Sequence, residues 1–94
     1  GISENKLNNA NLNAFPNPFT NEITISYEFN DKLELGSTIQ LTDMLGKEIQ
    51  ELAITDLKGT LTIKSELQAG IYFVRIVNGH ISSDPIKIVK VNSF

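Results

Sequence analysis

Gly70-Ile71-Tyr72-Phe73-Val74-Arg75-Ile76-Val77 leads into Asn78-Gly79, and a second run, Ile86-Lys87-Ile88-Val89-Lys90-Val91, follows after a short interval. β-Branched and aromatic residues crowd the first run, and such residues suit a pleated, half-buried surface. A two-residue type I′ turn needs positive φ at both central positions, and Asn-Gly accepts this at least cost. The stretch is therefore predicted to be a β-hairpin turning at Asn78-Gly79. Tyr72, Val74 and Ile76 share one face of its first strand, and Arg75 points the other way.

The second strand of this hairpin carries a parity conflict. With Asn78-Gly79 as a two-residue turn, Ile76 faces Ile81, so odd positions after the turn point inward. Ile86 and Ile88 are the better core residues, and they are even. One extra residue reconciles the two, and a β-bulge supplies it. Ser83-Asp84-Pro85 is the place for it, because Pro85 cannot donate to a ladder. The reading fails if Lys87 and Val89 point inward.

Working back along the chain, Leu67-Gln68-Ala69-Gly70 is the bend into the hairpin, and Gly59 to Lys64 is a short strand with Leu61 and Ile63 inward. Immunoglobulin-like sandwiches tie a tyrosine hydroxyl to backbone a few residues upstream, and Tyr72 stands in that position just after the bend. Thr38 to Asp43 alternates with Ile39 and Leu41 inward. Asp43-Met44-Leu45-Gly46 reads as a tight turn, with Asp43 accepting from nearby N–H groups and Gly46 taking positive φ. Lys47 to Ile54 is the return strand on the strength of its neighbours. Local signals alone divide evenly there, since Leu45, Ile49, Leu52 and Ala53 also make a helical stripe. Glu22 to Phe29 alternates cleanly, with Ile23, Ile25, Tyr27 and Phe29 on one face, as a strand with one wet face does. Asn30 to Gly36 is a charged loop. In Phe15-Pro16-Asn17-Pro18-Phe19 the prolines predict a short edge segment entering a turn, with Phe15 or Phe19 plugging one end of the core. Residues 1–13 are polar, asparagine-rich and without sustained periodicity, and read as a linker. Strands of this number and spacing predict an all-β fold, an immunoglobulin-like antiparallel β-sandwich of about seven strands.

Ninety-four residues make one domain. A net charge of -3 argues against a nucleic-acid partner, which selects a basic face. With no cysteine there is neither disulfide nor thiolate metal site, so packing alone must hold the fold. The first residue is Gly1 rather than methionine, as in a piece of a longer protein.

The residues point to no catalyst and no cofactor. His80 is the single histidine, and it follows the hairpin turn. A protein-only zinc site takes about four ligands. The carboxylates are scattered, with no spaced calcium loop. The serines lack a nucleophile elbow, and the glycines fall singly rather than in a phosphate loop. Lys87 and Lys90 are the charges that stand out. Lysines on a terminal strand protect an edge from aggregation, and they also offer a partner something to read.

Several segments together resemble the type A C-terminal sorting domain of the type IX, or Por, secretion system of Bacteroidetes. They are Phe15-Pro16-Asn17-Pro18-Phe19 with Ile23-Thr24-Ile25, then Leu41-Thr42-Asp43-Met44-Leu45-Gly46-Lys47-Glu48-Ile49, then Leu67-Gln68-Ala69-Gly70-Ile71-Tyr72-Phe73-Val74-Arg75-Ile76, and last Lys87-Ile88-Val89-Lys90. They stand in the family's order. Phe15 replaces a commoner tyrosine, Thr42 precedes Asp43, and Asn92-Ser93-Phe94 extends past the last lysine.

The resemblance implies that residues 1–13 link to an upstream cargo and that residues 14–94 are the sorting domain. Such a domain passes through the periplasm and directs its cargo across the outer membrane by the translocon. A sortase-like protease then removes it, leaving the cargo secreted or on the cell surface. Lys87, Ile88, Val89 and Lys90 would be what the translocon reads, by the strand end or by strand addition at an exposed edge. Pro16, Asn17, Pro18, Asp43, Gly46, Gly70, Tyr72, Asn78 and Gly79 would be structural. An exposed edge also permits a weak homodimer. The competing reading is an immunoglobulin-like spacer, adhesion or carbohydrate-binding module of a secreted protein.

Overall fold

The computed structural model describes residues 7, 9–30, 35–64 and 66–92. Among them are eight strands and no helix: β1 (Ala10–Phe15), β2 (Glu22–Phe29), β3 (Thr38–Asp43), β4 (Glu48–Ala53), β5 (Lys58–Lys64), β6 (Gly70–Asn78), β7 (Ile81–Ser82) and β8 (Ile86–Lys90). One sheet has the order β1-β2-β5. The other has the order β4-β3-β6, with β7 and β8 both paired to the far side of β6. Every strand pair is antiparallel. The alternation read from the sequence lines the space between the sheets. Ile23, Ile25, Tyr27 and Phe29 come from β2, and Ile39 and Leu41 from β3. Ile63, Tyr72, Val74, Ile76 and Ile88 join them, with Leu7, Phe19 and Ile54 buried in the same core. Each such isoleucine contributes about 1.5–3 kcal/mol by leaving water.

The stretch between Leu45 and Ile54 is a strand, β4, paired with β3 from Thr38↔Ala53 to Thr42↔Glu48. The turn before it follows the sequence reading. Asp43 Oδ1 accepts from Leu45 N–H at 2.8 Å and Lys47 N–H at 2.9 Å, and Gly46 has φ +87°. Tyr72 also does what its position predicted, its hydroxyl donating to Gln68 O at 2.7 Å. Of the two phenylalanines flanking the prolines, Phe19 is the plug, 2% exposed, whereas Phe15 is 51% exposed.

The hairpin turn lies one residue later than predicted. Asn78 pairs with Ile81, so the two loop residues are Gly79 and His80. Gly79 has φ +60° and among the described residues no non-glycine has positive φ, which is the II′ pattern with glycine first rather than the I′ pattern with Asn78 in the turn. The reason is tertiary. Asn78 stays in β6, where its Nδ2 donates to Leu35 O at 2.8 Å and to Ser37 Oγ at 3.1 Å. The bulge is where the parity conflict put it. From Val77↔Ser82 to Val74↔Ile86 the chain advances one residue more on the β7–β8 side than on β6. Ile88 points inward at 0% exposure and Lys87 outward. Ser83 N–H donates to Ile76 O and its Oγ accepts from Ile76 N–H, both at 2.9 Å, so the ladder turns into the bulge without losing either group.

The stretch read as a linker contributes a strand. Residues 10–13 belong to β1, paired with β2 from Ala10↔Phe29 onward, and Leu7 is buried with its N–H donating to Ser82 O at 2.8 Å. Ala10, Leu12 and Ala14 face the core and Asn11 and Asn13 face solvent. That is alternation, but alanines bury too little apolar area to mark it. The rest of that stretch, most of the charged loop at 31–34 and the extension at 93–94 lie outside the described residues.

Candidate functional site

The terminal strand β8 is the site the sequence singled out, and the fold distributes its four residues unequally. Ile88 pairs with Tyr72 and is wholly in the core, so no partner reaches its side chain. Lys87 is exposed, opposite Phe73, and Val89 is half-buried opposite Ile71. Lys90 is half-buried at the end of the sandwich, its Nζ donating to Val91 O at 3.1 Å. The lysines stand three positions apart, an odd offset, so they leave opposite faces of the strand. They do not form one basic ribbon.

The outer edge of β8, away from β6, is not open. Lys87 O accepts from Asn17 Nδ2 at 2.9 Å, and Val89 N–H donates to Asn17 Oδ1 at 2.9 Å. Further on, Phe19 N–H donates to Val89 O and Val91 N–H to Phe19 O, both at 2.9 Å. Phe19 and Lys90 make a parallel bridge. Strand addition or edge-to-edge dimerisation along residues 87–91 is therefore blocked while these bonds stand, which corrects the reading of this edge as exposed. Unmade edge groups attract strands, and these four are made.

The motif segments, far apart in sequence, meet at this end of the sandwich. Residues 17–19 run along β8. Asp43 pairs with Tyr72, and Tyr72 with Ile88. Gln68 receives the Tyr72 hydroxyl, and Gly70 starts β6 opposite Lys90. A depression beside them is lined by Thr20, Asn21, Lys64, Glu66, Leu67 and Lys90. Asn78 and Gly79 lie elsewhere, at the hairpin turn on the opposite end, with the exposed His80. At the tip of the Asp43 turn Met44 and Leu45 face solvent, Leu45 at 92%. Among the described residues no three His, Asp or Glu side chains come together as a metal site.

What the sequence did not reveal is the part played by Asn17. Its partners lie 70 and 72 residues away. The one local signal is an asparagine between two prolines, a side-chain amide with a donor and an acceptor where the neighbouring backbone lacks donors.

Nothing among curated proteins or solved structures matches this chain. A family model described as the secretion system C-terminal sorting domain matches residues 13–91, a span that holds β2 to β8 and all four motif segments. The chain belongs to that family, the C-terminal sorting domains of type IX secretion.

Proposed function

We propose that this domain is an address label: it takes a covalently attached N-terminal cargo through the outer-membrane translocon of the type IX system, after which a sortase-like protease releases it. The observation that carries this reading is the family match over residues 13–91. It accords with a secreted or cell-surface destination for the protein. The fold supports the reading physically. A strand held on both edges keeps Lys87 in fixed geometry, so less ordering entropy is lost when a partner docks. A cut that leaves the domain whole falls ahead of Leu7, because Leu7 bonds one sheet and residues 10–15 form a strand of the other.

The test is a reporter fused ahead of Gly1 in a host competent for type IX secretion. The expected result is export to the medium or the cell surface, with Lys87→Ala reducing export while the domain stays folded. Retention of the intact fusion in the periplasm would overturn the sorting role. Full export of the Lys87→Ala fusion would overturn reading by the exposed lysine.

A further inference from the structure

Asn17 stands where a neighbouring strand would stand. In a parallel ladder one residue donates its N–H to the partner strand and accepts from the N–H two residues further along, and the next such pair falls two residues away. Phe19 makes such a pair with its main chain, to Val89 O and from Val91 N–H. The next position back is residue 17, due to bond Lys87 O and Val89 N–H. Those are the groups that Asn17 bonds, with its side chain instead of its backbone. A primary amide is chemically a peptide group, with one carbonyl acceptor and N–H donors. Pro16 and Pro18 on either side have no N–H, so the ladder cannot run on through them.

We propose that Asn17 is a strand-mimicking clip, an autoinhibitory strap that closes the outer edge of the terminal strand, so that this edge accepts a partner strand only when residues 17–19 are lifted away. The chemistry is selective for asparagine. Aspartate keeps the acceptor for Val89 N–H but sets a carboxylate oxygen against Lys87 O. Alanine offers neither group. The clip also fixes register, since the amide meets both groups in one alignment of β8 only. It stands on geometry alone and holds whether or not the chain is a sorting signal.

Amide hydrogen exchange in the 94-residue chain tests it. Val89 and Val91 N–H groups point at residues 17–19, whereas Ile88 and Lys90, by strand alternation, point at β6. In the unaltered protein Val89 and Val91 should be as protected as Ile88 and Lys90. In Asn17→Ala, Val89 should exchange roughly tenfold faster or more, with Ile88 unchanged. Asn17→Asp should keep Val89 slower than Asn17→Ala does. A merely structural role would speed all four amides by one common factor, and that result would overturn the clip. So would unprotected Val89 and Val91 amides in the unaltered protein, a measurement that needs no variant to fold.

Discussion

A Cβ placed on Gly59 would lie 2.9 Å from Tyr27 Oη and 3.3 Å from its Cζ. Gly59 and Tyr27 are register partners on β5 and β2, and the Tyr27 ring is buried at 4% exposure, so it cannot swing aside. The glycine is there for space. Gly59→Ala should cost about 1–3 kcal/mol, the usual effect of overpacking a filled core. Tyr27→Phe deletes the atom in closest conflict, so the alanine should cost less in that background; a double-mutant cycle of urea midpoints measures the coupling. The same hydroxyl gives an alkaline signature. Burial first, and then the negative charge of Asp56, raise the Tyr27 phenol above its ordinary value of 10.0. The folded state therefore keeps its proton to higher pH than the unfolded chain does. Its contribution is complete below the unfolded value and is lost as pH rises from there through the folded one. Tyr27→Phe should flatten the stability loss above about pH 10.

At the scale of the element, β8 sets a core residue beside a solvent-facing one. Ile88→Ala empties a core position and should cost about 2–5 kcal/mol. Lys87→Ala, one residue away on the wet face, should change stability by no more than about 0.5 kcal/mol. Equilibrium denaturation of both variants checks the contrast, and equal losses would contradict it. Strands with large residues on one face were legible in sequence: β2 and β3 alternate isoleucine, leucine or tyrosine against polar groups, and β6 is marked by its run of β-branched and aromatic residues. β4 was divided between strand and helix because, as an edge strand, it buries little, with Gln50 and Leu52 only half-covered. β1 was missed because its inward residues are two alanines and one leucine. The bulge was legible because a proline and a parity conflict agreed on its place. The turn was displaced by one residue because Asn78 has a better partner across the chain than in the loop. Asn17 was out of reach for the same reason: its role is set by residues that only the finished fold brings near.

Taken as a whole, the molecule has no disulfide to tie its ends together, and the two ends are tied by hydrogen bonds instead. Leu7 lies on β7, residues 10–15 on β2, and residues 17–19 on β8, so the first part of the chain crosses from one sheet to the other and back. That arrangement has a mechanical side. A load drawn between the two termini would act first on Leu7 and β1. It would then reach Asn17 and Phe19, which run alongside β8 in the same direction. Tension there pulls the two segments past each other along their length, and the four bonds must give way together rather than in turn. Single-molecule stretching should show a force peak at this step, lowered in Asn17→Ala, and identical traces for the two proteins would refute it. Residues 17–19 and β8 thus fasten the chain along the line of a pull between its ends.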